Sequence, residues 1–177
     1  MKTAGRRTPS FPTARLCKGY MDHLWSPWRY RYVSKKGPDE CIFCVKSQQN
    51  DDKSNYILHR AEKNFVLLNL YPYTSGHLMV APYAHVPSLS ESEPSALQEM
   101  MLLAQRAEAA LRKVYNPSGF NMGLNIGESA GAGIAGHIHM HVLPRWLGDA
   151  NFMTTIGETR VMPEDLETTY AKLVEAF

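Results

Sequence analysis

The chain has 177 residues, 44% hydrophobic and 20% charged. That is enough for one domain with a core of its own and too few for two of ordinary size. Its formal charge of +2 misleads, because Lys2, Arg6, Arg7, Arg15 and Lys18 all precede the first acid, Asp22. With those set aside, 14 basic and 17 acidic residues remain over 22–177. A mildly acidic body speaks against a nucleic-acid partner, which clustered Lys and Arg would serve, and no apolar run approaches the ~18 residues of a membrane span.

In chain order, residues 1–21 carry no acid, are rich in Arg, Ser, Thr and Pro, and read as a disordered or variable extension ahead of one domain over 22–177. An organellar transit peptide is the alternative reading of that extension. Trp25-Ser-Pro-Trp28-Arg-Tyr30-Arg-Tyr32 is an aromatic cluster that reads as a packed arm or as a wall for a base or partner. Cys41-Ile-Phe-Cys44 could be a redox pair, half of a zinc site or two buried small hydrophobes. The polar run before it disfavours the first, since a thioredoxin-like pair follows a strand. Three cysteines in all make no disulfide framework, and a reducing cytoplasm is the expected compartment.

Tyr56–His59, Phe65–Leu70 and His77–Ala81 read as strands separated by short polar turns, the last one ended by Pro82. No helix-length crossover lies between them, so they are expected to pair antiparallel. From about Ser92 to Tyr115, Leu97, Met100, Met101, Ala104, Ala107, Leu111 and Val114 recur at helical spacing, with Ser92 as the expected N-cap. Phe120–Ile126 is a further strand. After Trp146–Asn151 an irregular segment leads to a last amphipathic helix bearing Leu166, Tyr170, Leu173, Val174 and Phe177.

Between these elements lies Gly131-Ala-Gly-Ile-Ala-Gly-His137-Ile-His139-Met-His141-Val-Leu-Pro144. Alternation puts three imidazoles on one face of an extended segment and Ile138, Met140 and Val142 in the core, with Pro144 as its expected stop. The glycines match a dinucleotide fingerprint, but that motif must open a helix, and the residues after Gly136 alternate as a strand does. A metal site is a second reading, although alternate strand residues lie ~6.6 Å apart, too far for three to share one small ion easily. In a third, a neutral imidazole attacks phosphorus and forms a nucleotidyl-histidine, while glycine-loop N–H groups and the other histidines stabilise the developing charge. Three buried histidines without a task would be costly to desolvate.

His137-Ile-His139-Met-His141-Val-Leu resembles the His-x-His-x-His motif of the histidine-triad (HIT) nucleotide hydrolases and transferases. Asn69, Gly76-His77-Leu-Met-Val-Ala-Pro82 and Cys41-x-x-Cys44 extend the resemblance, which covers roughly 40–175. The opening Leu24-Trp-Ser-Pro-Trp-Arg29 and the run from Gly131 to Met153 are most similar to a bacterial branch associated with diadenosine tetraphosphate phosphorylase or hydrolase activity. The resemblance implies an α+β HIT domain: an antiparallel sheet with one long helix and a C-terminal helix. It implies an enzyme that cleaves a nucleotide phosphoanhydride, such as that of a dinucleoside polyphosphate, through a covalent intermediate on His139. His141 and His77 would face the reacting phosphate, and the His137 carbonyl would orient the His139 ring. Asn69 would contact the ribose, and Asn125, Gly127, Ser129 and Gly133 would line the phosphates. Ile134 stands where many relatives carry Ser or Thr, which takes a donor from that loop.

The resemblance further implies structural zinc on Cys41, Cys44, His85 and His137, and a homodimer joined through sheet edges. Arg145 and Trp146 would be within reach of a phosphate or base, and His23 and His59 match nothing catalytic. A sugar-phosphate nucleotidylyltransferase and a non-catalytic nucleotide-binding module are the competing expectations.

Overall fold

The computed structural model describes residues 40–157 and 162–177. The extension, the Trp25–Tyr32 cluster, Cys17 and His23 lie outside the described residues. Five strands, β1 (Ile57–Arg60), β2 (Asn64–Leu68), β3 (Leu78–Pro82), β4 (Gly119–Leu124) and β5 (Met140–Arg145), form one sheet in the order β1-β2-β3-β5-β4, every neighbouring pair antiparallel. Five α-helices accompany them among the described residues: α1 (Ile42–Gln48), α2 (Asp52–Asn55), α3 (Pro94–Tyr115), α4 (Phe152–Ile156) and α5 (Leu166–Val174). This is the expected α+β architecture, with one long helix and a C-terminal helix.

β2 and β3 are buried along their whole length, which explains the apolar runs Phe65–Leu68 and Leu78–Pro82: both faces of the sheet are covered. On one face Val66, Leu68, Leu78, Val80, Met140 and Val142 pack against Met100, Leu103, Ala104, Ala107 and Leu111 of α3 and Leu173 of α5. The other face gathers Phe65, Leu67, Met79 and Ala81 around Ile57 and Phe43. Along β5 the residues alternate with Met140 and Val142, so His139 and His141 belong to the face away from α3.

The helix boundaries differ from expectation in ways that local chemistry explains. The N-cap of α3 is Glu93, with Pro94 as first helical residue, while the Ser92 hydroxyl donates to the Ser88 carbonyl at 2.8 Å and closes the preceding turn. Leu103 is buried on α3, and Met101 is 58% exposed because it falls on the outer face. Asp165 caps α5 by accepting from the Thr168 N–H at 2.7 Å. Pro144 does not stop β5. The strand continues to Arg145 because β3 pairs only as far as Val142 while β4 pairs across Phe120↔Pro144 and Gly119↔Arg145. A missing N–H is tolerated where one neighbour has already ended.

α1, α2 and α4 were not legible as helices. Each is too short to hold itself together without tertiary contacts. The carbonyl end of α1 is held by Arg60, whose guanidinium donates to Ser47 O at 2.6 Å and Gln49 O at 2.7 Å. The turn before β2 is held by Glu99 of α3, which accepts from the N–H groups of Glu62 and Lys63 and from the Asn64 amide.

Candidate active site

Three histidines, His141 of β5 and His77 and His139 at the entries to β3 and β5, meet on the face away from α3. His77 directly precedes β3, after a loop whose last residue, Gly76, has φ +76°. A Cβ there would stand 3.0 Å from Leu111 Cδ2, so both backbone and space call for glycine. His77 is 1% exposed, His139 5% and His141 9%. The ring centroids of His77 and His141 lie 5.0 Å apart, as do those of His139 and His141.

Hydrogen bonds fix each tautomer. The Tyr73 backbone N–H donates to His77 Nδ1 at 3.1 Å, so the neutral ring of His77 carries its proton on Nε2. That nitrogen stands 2.9 Å from His141 Nδ1, which therefore accepts and leaves His141 with its proton on Nε2. His139 Nδ1 lies 2.8 Å from the carbonyl oxygen of His137. A carbonyl can only accept, so His139 donates from Nδ1 and keeps its lone pair on Nε2. Burial, then the neighbouring histidines, hold His77 down to about 3 and His141 to about 4. Burial also lowers His139, against the opposing effect of its bond to the His137 carbonyl. All three rings are neutral near pH 7.

Asn69 lies beside this group. Its side-chain carbonyl accepts from the Tyr71 N–H at 2.9 Å and its amide lies 3.3 Å from His77 Nδ1, which ties loop 69–76 to that ring. Asn125, Gly127, Ser129 and Gly133 belong to the loop between β4 and β5. Gly127 has φ +81° and opens the short turn Glu128–Ala130, whose tip carries the exposed Ser129. The loop joins the histidine segment where His137 N–H donates to Ile134 O at 3.3 Å. Ile134, expected only as a lost donor, packs instead against the core around Phe43.

Arg145 is committed elsewhere: it pairs with Asp149 at 2.6 Å and donates to Asn121 Oδ1 at 2.6 Å. Trp146 donates from its indole to Tyr115 O at 3.4 Å. His59 is a packing residue, stacked on Phe177 and accepting from Arg106.

The remaining histidine of the segment turns to a second cluster. His137 Nε2 lies 2.8 Å from the Pro82 carbonyl and so donates to it, leaving the Nδ1 lone pair directed at two thiols. Cys41 Sγ is 3.3 Å and Cys44 Sγ 3.6 Å from that nitrogen, and His85 Nδ1 is 3.4 Å from Cys44 Sγ. All four donor atoms lie within 4.8 Å of one another. A tetrahedral zinc site with ordinary Zn–S and Zn–N bonds has edges of about 3.3–3.8 Å, so the donor set fits a metal ion. This arrangement answers the spacing objection, because only one histidine of the segment joins the cluster.

Two features escaped the sequence. Phe43, between the cysteines, places its ring 4.8 Å from that of His139 and 5.1 Å from that of His137. Tyr73 lies 4.8 Å from His77, ring to ring, and its backbone sets the His77 tautomer. An apolar residue inside Cys-x-x-Cys was the available signal for the first; the second had none.

The HIT domain family matches over residues 50–146. The chain is 39% identical over 157 residues to AP-4-A phosphorylase of Mycobacterium tuberculosis, covering 84% of this chain and 80% of that protein. It is 30% identical over 93 residues to the asymmetrical bis(5'-nucleosyl)-tetraphosphatase of Schizosaccharomyces pombe, covering 52% of this chain and 50% of that one. The crystal structure of a Zn-bound histidine triad family protein from Mycobacterium smegmatis superposes with a TM-score of 0.62 at 30% identity, over 77% of this chain and 92% of that one. With the triad geometry, the family match and this identity in agreement, the chain belongs to the HIT domain family.

Proposed function

We propose that the protein is an enzyme that cleaves dinucleoside polyphosphates, of which diadenosine tetraphosphate is the leading candidate, through a nucleotidyl-His139 intermediate. The observation that carries this reading is the tautomer of His139: its Nδ1–H donates to the His137 carbonyl, so Nε2 keeps its lone pair and can act as nucleophile. Similarity to proteins named AP-4-A phosphorylase and bis(5'-nucleosyl)-tetraphosphatase supports the substrate class.

In the first step Nε2 bonds to the phosphorus next to one nucleoside, and the bond from that phosphorus to the bridging oxygen breaks. The leaving nucleoside polyphosphate departs as its anion, with His141 Nε2–H donating a hydrogen bond to the oxygen on which charge develops. Inorganic phosphate or water then attacks the same phosphorus, gives up its proton to solvent and expels His139 with the Nε2 lone pair restored. His77 keeps His141 in the tautomer that can donate. Asn69 would contact the ribose, while Asn125, Gly127, Ser129 and Gly133 would line the phosphates with N–H and hydroxyl donors.

Zinc on Cys41, Cys44, His85 and His137 would be structural, a closed Cys₂His₂ set that supplies no open coordination site for chemistry and fixes the segment bearing the nucleophile. The domain would extend over 22–177. β4 is bonded to β5 on one side only and exposes Asn121, Met122 and Gly123, so pairing of two copies along this edge would give the homodimer. Two free thiols at the cluster suit the reducing cytoplasm.

Product analysis tests the reading. With diadenosine tetraphosphate, products should be ADP and ATP if phosphate is the acceptor, or AMP and ATP if water is. Turnover of a sugar nucleotide alone, or nucleotide binding with no cleavage under any condition, would refute it.

A further inference from the structure

We infer that Phe43 is a positioning residue: its ring braces the imidazole of His139 in the orientation from which Nε2 can attack. The inference rests on the reading of His139 as nucleophile. Among the described residues the rings next to His139 are those of Phe43, at 4.8 Å with a 37° tilt, and His141, at 5.0 Å with a 73° tilt. The bond from Nδ1 to the His137 carbonyl fixes which nitrogen faces inward. It does not fix the ring's tilt, since the terminal torsion of a histidine is broad. A second ring against its face narrows that freedom, and a displacement of ~1 Å at a reacting atom can cost ~10²-fold in rate.

Phe43 is fit for this task because it is itself immobilised. It is 1% exposed and packs with Ile57, Phe65, Leu67, Met79 and Ala81. Its helix, α1, is held at both ends: by Arg60 at the carbonyl end and, at the other, by Cys41 and Cys44 beside His137 and His85. The seven-residue helix could not stand alone. Its place in the fold sets a ring against two histidines that serve different clusters.

The test compares Phe43→Leu with Leu103→Ala, a truncation in the core on the opposite face of the sheet. Phe43→Leu should lower kcat for diadenosine tetraphosphate by about 10–100-fold with KM within about twofold. It should also broaden the proton resonance of His139 Nδ1–H, seen by NMR without substrate. Leu103→Ala should lower the unfolding temperature at least as much and leave kcat and the resonance unchanged. If Phe43→Leu does not fold, Phe43→Met carries the same expectation. Wild-type kcat in the folded Phe43 variant, a rise in KM alone, or an equal loss of kcat in Leu103→Ala would overturn the inference. If no variant and no wild-type sample turns over substrate, the nucleophile reading fails, and an unchanged Nδ1–H resonance in Phe43→Leu would then overturn the brace independently.

Discussion

His137 and His139 are two residues apart on one extended segment, both buried, both hydrogen-bonded to a backbone carbonyl, and they face opposite tasks. His137 donates from Nε2 to Pro82 O and turns its Nδ1 lone pair to two thiols. His139 donates from Nδ1 to His137 O and turns its Nε2 lone pair to the site where His77 and His141 meet. The residue type is the same; the nitrogen that meets the carbonyl decides whether the other is offered to the thiol cluster or to the histidine triad. Position along the segment decides which carbonyl is met.

Breaking the reactive side should have the largest effect. His139→Ala should lower kcat by ~10⁴-fold or more, with unfolding temperature and bound metal unchanged, as steady-state kinetics, calorimetry and metal analysis would show. Activity within tenfold of wild type would contradict the division of labour. His141→Ala should cost about 10²–10³-fold, and a substrate whose leaving group develops less negative charge should recover most of the loss. A uniform loss across leaving groups would mean that His141 does not stabilise the departing oxygen.

Breaking the other side should act on stability. Cys41→Ser should weaken metal binding and lower the unfolding free energy by several kcal/mol, on the order expected where metal binding is coupled to folding. The fraction that stays folded should still accept a nucleotidyl label on His139.

Acid should produce the smallest and most graded change. Burial first, then His141 and His139 for His77 and His139 for His141, hold these rings neutral down to about 3 and about 4, whereas unfolded histidine titrates near ~6.5. Between those limits the unfolded chain binds more protons, so stability falls as pH drops from ~6.5 toward 4 and these groups contribute no slope above that range. Denaturant midpoints measured at pH 7, 5.5 and 4.5 should decline, and the decline should be shallower in His141→Ala. An equal slope in both would place the effect elsewhere.

The strands, the long helix and the histidine segment were legible because period-two alternation, helical spacing and a histidine triplet are local patterns. Cys41, Cys44, His85 and His137 could be grouped only through the family resemblance, since 96 residues separate Cys41 from His137. What stayed hidden depends on contacts between distant segments. α1 forms because Arg60 donates to its carbonyls, Ile134 packs against a core assembled from other segments, and β5 passes Pro144 because β3 has ended. The His137 tautomer was hidden for the same reason: Pro82 O, which fixes it, comes from another strand.

The central claim is that Nε2 of His139 forms a bond to phosphorus. Rapid acid-free quenching with adenine-labelled diadenosine tetraphosphate, followed by peptide mapping, tests it most directly. The expected result is a transient label of up to one equivalent per chain on His139, through an acid-labile N–P bond, absent in His139→Ala. Turnover at the wild-type rate with no label on the protein, or label on another residue, would contradict it.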